Sequence, residues 1–350
     1  MNLVEILNLG VEKKASDIHI AVGVPPTYRI YGKLVSFSEK RLTPTDTLQL
    51  TKEALNEDQF KTIEKQGELD FSYSILGIGR FRVNAYRQRN NYGLALRIIP
   101  MEIPNLESLG LPEVARDIAK LSRGLVLVTG PTGSGKSTTI ASIIDLINRE
   151  RNCHILTLED PIEYLHEHKK SIVNQREIGN DSLSFANALR SALREDPDVI
   201  LVGEMRDLET ISITITAAET GHLVLSTLHT LGSVKSIDRV IDVFPPHQQQ
   251  QIKVQLASVL KAVVSQQLLP KVDSGGRIAA FEVMIATPAI RNLIREGKIH
   301  QIDSMIQTGL KDKMVTMDNS IIDLFIRGCI SKDVALGQAF NQQEIKKYLR

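Results

Sequence analysis

The chain has 350 residues, with 42 Lys and Arg against 41 Asp and Glu and a net charge of +1. That length suits two or three domains with a sizeable core, and the even charge balance removes the case for a generally basic nucleic-acid-binding protein. Only two cysteines, Cys153 and Cys329, neither in a metal-ligand spacing, no apolar run near the ~20 residues of a bilayer span, and early charges at Glu5, Glu12, Lys13 and Lys14 together imply a reduced, cytoplasmic chain.

Residues 1–99 read as a small α+β domain. Leu3, Ile6, Leu7 and Val11 recur at helical spacing. Ser16-Asp17-Ile18-His19-Ile20 alternates polar with apolar, and Thr27 to Leu34 is a second extended run after Pro25-Pro26. Helical patterns fill 45–65, and three strands are predicted at 68–75, 79–88 and 92–99. In the middle strand Phe81, Val83 and Ala85 share one face while Arg80, Arg82, Asn84 and Tyr86 share the other, which is therefore cationic. Residues 100–112, broken by Pro104, Gly110 and Pro112, read as a linker.

From residue 113 strands and helices alternate: strand 125–129, helix 136–149, strand 154–158, helix 183–194, strand 199–202, helix 208–219 and strand 222–227. Such alternation implies a parallel sheet covered on both faces, with ligand bound at the carboxyl ends of its strands. After Pro246 the pattern turns largely helical. Ile252, Leu256, Val259, Leu260, Val263, Val264 and Leu268 predict one long helix, Ser274-Gly275-Gly276 a hairpin leading into 277–285, and the rest is helical to the end.

The chemistry concentrates between residues 130 and 230. Gly130-Pro131-Thr132-Gly133-Ser134-Gly135-Lys136-Ser137 fits G-x-x-x-x-G-K-[ST], preceded by an apolar strand and followed by a helix that includes Thr138. Glycines let the backbone curl so that N–H groups face an anion at a helix N-terminus. Lys136 is then expected to reach the β- and γ-phosphates of ATP, and Ser137 to ligate Mg²⁺. The strand Val199 to Val202 ends in Gly203-Glu204, with glycine where many nucleotide-hydrolysing enzymes carry Asp, so Glu204 would meet the metal through water or polarise the attacking water. Glu159, Asp160 and Glu163 crowd a second strand end and need a cation to offset their repulsion; Glu163 is the other candidate base. His222 and His229 flank an apolar strand seven residues apart, which argues against a shared zinc, and either could sense the γ-phosphate. Arg80, Arg82 and Arg97 could stabilise transition-state charge from a neighbouring domain or subunit.

In this order the loop 130–137, Leu158-Glu159-Asp160-Pro161-Ile162-Glu163, Leu193 to Asp198 leading into Glu204-Met205-Arg206-Asp207, and Thr220-Gly221-His222 resemble the secretion ATPases that power type II secretion and type IV pili. The likeness starts at Ala15-Ser16-Asp17-Ile18-His19 and covers nearly the whole chain. The Gly203 departure is itself typical of that family. It implies a PAS-like α+β N-terminal domain and a RecA-like P-loop ATPase domain with a helical C-terminal part. It further implies a homohexamer, with nucleotide between one subunit's second domain and its neighbour's first, where the three arginines could act in trans. Ala289-Ile290-Arg291-Asn292-Leu293-Ile294-Arg295-Glu296 is similar to a motif of the retraction branch, and neither the long N-terminal extension nor the four-cysteine zinc site of assembly ATPases is seen. The resemblance thus implies an ATP- and Mg²⁺-dependent pilus retraction motor at the inner face of the inner membrane, acting on a platform protein there, with neither nucleic acid nor direct membrane insertion. An assembly or type II secretion motor, a non-hydrolysing nucleotide-gated module and a RecA-like nucleic-acid motor are the alternatives.

Overall fold

The computed structural model describes residues 2–348 apart from 31, 76, 100, 101, 274 and 275. The chain divides into two compact units, Met1–Glu102 and Ile103–Arg350.

The first unit holds α1 (Leu3–Glu12), β1 (Asp17–Ile20), β2 (Thr27–Ile30), β3 (Lys33–Ser36), α2 (Pro44–Ala54), α3 (Glu57–Gln66), β4 (Glu68–Ile75), β5 (Gly79–Gln88) and β6 (Asn91–Ile99). Its helices start where capping chemistry says they should. Asn2 with Glu5, Thr43 with Asp46 and Asn56 with Gln59 each form a reciprocal capping box, satisfying N–H groups that the first helical turn leaves unpaired. The sheet is antiparallel throughout, in the order β3-β2-β1-β6-β5-β4. Phe81, Val83 and Ala85 are fully buried with Leu3, Ile6, Ile18 and Ile63, so the predicted alternation of β5 separates core from outer face. The extended run at 27–34 is two strands rather than one, because Gly32, at φ +80°, turns the chain back on itself.

The second unit holds α4 (Val114–Ala119), β7 (Gly124–Thr129), α5 (Lys136–Glu150), β8 (His154–Glu159), β9 (Ile172–Glu177), α6 (Phe185–Ala192), β10 (Val199–Val202), α7 (Leu208–Glu219), β11 (Leu223–Leu228), α8 (Ser233–Asp242), α9 (Pro246–Val259), β12 (Leu260–Pro270), β13 (Arg277–Ile285) and α10 (Pro288–Glu296), then α11 (Ile302–Thr308), α12 (Met317–Ile326), α13 (Lys332–Gln338) and α14 (Gln342–Ile345). Among the described residues seven strands line up as β13-β12-β7-β11-β10-β8-β9, parallel except for the β12–β13 pair. Every residue of β7, β10 and β11 is buried, as expected for central parallel strands covered on both faces. Two separate apolar clusters form those covers.

The long helix predicted through Leu268 is corrected: α9 stops at Val259, and Leu260–Pro270 is a strand between β7 and β13. Leu260, Val263 and Val264 satisfy either period, and pairing on both edges outweighs local propensity. The predicted turn residues Ser274 and Gly275 lie outside the described residues; β12 and β13 pair antiparallel, with Pro270 opposite Arg277. Strand β9 is absent from the predicted elements. It is an edge strand of mostly polar residues, with Val173 its one buried aliphatic side chain.

Candidate functional site

Because β7, β11, β10 and β8 are consecutive and parallel, the segments that follow them emerge at one edge of the sheet. Topology alone therefore gathers residues 130–138, 229–232, 203–206 and 159–164.

The loop after β7 depends on its glycines. Gly130 adopts φ +147°, and a Cβ there would come within 2.2 Å of the Gln266 carbonyl oxygen; Gly135, at φ +88°, lies over the Gln266 side chain. Gln266, buried on β12, also accepts a hydrogen bond from Thr139 Oγ1 at 2.6 Å. The loop is thus braced from beneath by a strand residue that the helical reading of this segment hid. Arg277 donates to the Gly133 carbonyl at 3.2 Å. Helix α5 begins at Lys136 with no side-chain cap, so its first N–H groups face the inside of the curl. The Ser134 hydroxyl is buried there without a hydrogen-bond partner. These features fit an anion: N–H donors at a helix N-terminus, an orphaned hydroxyl and a cation.

That cation is Lys136, which donates to the carbonyls of Gly130 at 2.8 Å and Pro131 at 3.0 Å. Desolvation lowers its ammonium below the ordinary lysine value, while the negative charges of Glu163 and Glu204 act to raise it. Both acids are therefore electrostatic neighbours of the loop lysine. Glu204 accepts from Arg206 Nε at 2.6 Å and lies 3.2 Å from His229 Nε2; His229 Nδ1 is 3.5 Å from Thr132 Oγ1. A chain of polar contacts thus runs from loop to histidine to acid.

Gly203 has a steric explanation. Its N–H donates to the Leu158 carbonyl at 2.8 Å, and a Cβ would sit 3.1 Å from that oxygen. The end of β10 lies too close to β8 for an aspartate to fit without displacement. Ser226 and Thr227, near the ligand side of β11, spend their hydroxyls on the carbonyls of Val202 and Gly203 at 2.7 and 2.5 Å.

Of the acids after β8, Glu163 and Asp160 are exposed. Glu159 is recessed, and desolvation pushes it up to about 7 although Thr157 Oγ1, at 2.6 Å, and Gln175 both donate to it. Tyr164 places its hydroxyl 3.0 Å from Thr138 Oγ1, tying this segment to α5. Ser137 is half-buried on the first turn of α5, and among the described residues no cluster of three His, Cys, Asp or Glu side chains could hold a metal. A single hydroxyl with phosphate oxygens is the donor set that suits Mg²⁺.

His222 is not part of this cluster. It precedes β11 level with Gly124, at the opposite end of the sheet from the loop, a strand length of about 20 Å away. Its Nδ1 lies 2.9 Å from the Ala217 carbonyl and 3.2 Å from Thr220 Oγ1, fastening the turn after α7.

The arginines belong to the first unit. Arg82 and Arg97 are register partners on β5 and β6, and like charges facing each other across strands repel. Asp17 on β1 offsets this, accepting from Arg97 Nε at 3.0 Å. Burial would raise the Asp17 carboxyl, but Ser16 and Arg97 hold it below the usual range. Asp17, Arg82, Arg97, His19, Asp70 and Asn84 line a cavity of about 200 Å³. Arg80 donates to Ser74 Oγ at 3.4 Å.

Among the described residues no helix is long and apolar enough to cross a membrane. Comparison with known proteins agrees with the geometry. Residues 3–279 match the family described as Type II/IV secretion system protein. The chain is 49% identical over 339 residues to the type IV pilus retraction ATPase PilT of Pseudomonas aeruginosa, covering 97% of this chain and 98% of that one. It is 40% identical to the type IV pilus ATPase PilU of the same organism, covering all of this chain and 92% of that protein. A crystal structure of the pilus retraction motor PilT with bound ADP superposes with a TM-score of 0.93 at 48% identity, covering 99% of both chains. The phosphate-type loop, the acids gathered beside its lysine and a family match over most of the sequence converge on one assignment: this chain belongs to the type II/IV secretion system protein family.

Proposed function

We propose that the chain is an ATP-hydrolysing motor subunit that powers type IV pilus retraction, working as a homohexamer on an inner-membrane platform protein at the cytoplasmic face. The observation that carries the reading is the convergence of an uncapped, glycine-curled helix start with Lys136, Glu163 and Glu204 at one sheet edge. Full-length similarity to a retraction ATPase supports the direction of the work.

In this reading the N–H groups of 130–138 cradle the phosphates, and Lys136 exchanges its loop carbonyls for β- and γ-phosphate oxygens. Mg²⁺, when bound, neutralises charge on those oxygens; Ser137 would hold it directly and Glu204 through a water. Glu163 and Glu204 share the handling of the attacking water, Glu204 oriented by Arg206 and His229. His229 reports the γ-phosphate to Glu204, and His222 keeps the turn at the far end of β11. Arg80, Arg82 and Arg97 of a neighbouring subunit supply positive charge to the transition state, coupling hydrolysis to rotation of one unit against the next copy.

ATP turnover by purified Lys136→Ala, Glu163→Ala and Glu204→Ala tests the site. Lys136→Ala and at least one acid variant are expected to lose about 10²-fold or more; wild-type rates in all three would reject it. Deleting the gene distinguishes direction. Heavily piliated cells that do not twitch are expected, and bald cells would favour an assembly motor.

A further inference from the structure

A second cavity, of about 360 Å³, lies in the same unit and away from the phosphate loop. Its residues Lys261 and Ala262 flank the start of β7, where Ala262 pairs with Val126, whereas the loop follows Thr129. Val114, Ile118 and Leu121 give it an apolar floor, joined by Ile285 and Ala286 from the end of β13.

The charged side of the cavity is built against local preference. Lys261 is the extra residue where the β12–β7 register shifts between Leu260 and Ala262. A bulge re-aims one side chain out of the regular alternation, and here it turns a lysine inward. Its stem lies across Gly124, where a Cβ would approach Lys261 Cε to 2.4 Å, and Gly124 holds φ +115°. Arg291 reaches the cavity from α10, with its Nε buried and without a hydrogen-bond partner. Desolvation lowers the Lys261 ammonium, and the charges of Arg291 and Arg123 lower it further. Of the two carboxylates lining the cavity, Asp117 is engaged by Lys313 at 2.7 Å and Asp312 is exposed, and neither is paired with the half-buried Lys261 or Arg291. Gathering half-buried cations with so little compensation is costly unless an anion completes the set.

We propose that this cavity binds a small organic anion, its carboxylate or phosphate headgroup met by Lys261 and Arg291 and its apolar body seated on Val114, Ile118, Leu121 and Ile285. The volume suits a small ligand with a body of about one aromatic ring. The site is separate from ATP turnover, so its test keeps the phosphate loop filled.

The probes are phenyl phosphate and inorganic phosphate, titrated by calorimetry into the full chain saturated with ADP and Mg²⁺. Phenyl phosphate is expected to bind at about 1 mM or tighter, and inorganic phosphate at least tenfold more weakly, having no apolar body. Lys261→Met keeps the stem over Gly124 and removes the charge; Arg291→Gln keeps a donor. Each is expected to weaken phenyl phosphate at least tenfold while ADP uptake stays at the wild-type level. Any of three results would overturn the proposal: absence of phenyl phosphate binding, binding by both variants as tight as by the wild type, or inorganic phosphate binding as tightly as phenyl phosphate. Should the variants lose ADP and probe together through unfolding, the wild-type comparison of phenyl phosphate with inorganic phosphate decides alone, a tenfold preference for phenyl phosphate supporting the proposal and no preference overturning it.

Discussion

Glu159 and His166 make the site's neighbourhood sensitive to pH in opposite senses. Glu159 is pushed up from the ordinary 4.5 to about 7 by desolvation. Between those values only the unfolded chain gives up the proton, so stability from this group is present below pH 4.5 and lost as pH rises to about 7. His166 is pushed down from 6.5 to about 4, again by desolvation. Below pH 6.5 the unfolded chain alone takes up the proton, so stability is lost as pH falls towards 4. The windows overlap and partly cancel in the wild type. Glu159→Gln should therefore melt progressively higher than wild type as pH is raised from 4.5 to 7, and His166→Gln progressively higher as pH is lowered from 6.5 to 4. Thermal denaturation across that range checks both, and parallel curves for variant and wild type would refute the assignment. At Gly203 the expectation is steric. With the Leu158 oxygen 3.1 Å from its would-be Cβ, Gly203→Ala requires that carbonyl, which the Gly203 N–H itself holds at 2.8 Å, to give by a few tenths of an ångström, and a lower denaturation midpoint is expected. Gly203→Asp should not improve turnover, which an ATPase assay on the folded variant checks.

Elements differ in how much of themselves the amino-acid pattern reveals. Strands β7, β10 and β11 were legible because continuous apolar runs ended in turn residues, and Leu225→Ala in fully buried β11 should cost about 2–5 kcal/mol by chemical denaturation. Helix α10 was legible as an amphipathic stretch after Pro288, started by Thr287, which accepts from Ile290 N, and ended by Gly297 at φ +72°. Strand β12 was not, since Leu260, Val263, Val264 and Leu268 fit helix and strand alike. The signal that finds it is the hairpin reading of Ser274-Gly275-Gly276 itself, since a hairpin requires a strand before the turn as well as after it. Gln266 is hidden for the same reason, because its place under the loop follows only from β12 lying beside β7. The four motifs after β7, β8, β10 and β11 were legible one by one. Their convergence rests on strand order, which a linear pattern does not specify, and the separation of His222 from His229 rests on the same register.

At the scale of the whole molecule, copies of the chain complete one another in the proposed ring. If Arg82 or Arg97 acts in trans, mixing inactive Lys136→Ala subunits with inactive Arg82→Ala or Arg97→Ala subunits should restore turnover, because about a quarter of interfaces in a random one-to-one ring join an intact loop to an intact arginine. Arginines acting within their own chain would give no rescue. All of this presupposes that the loop at 130–138 holds magnesium-bound nucleotide, and calorimetric titration of ATP and ADP with Mg²⁺ into folded wild-type and Lys136→Ala protein tests that most directly. Uptake by the wild type, weakened at least tenfold in the variant, is the expected result; no uptake by the wild type, or equal uptake by both, would contradict it.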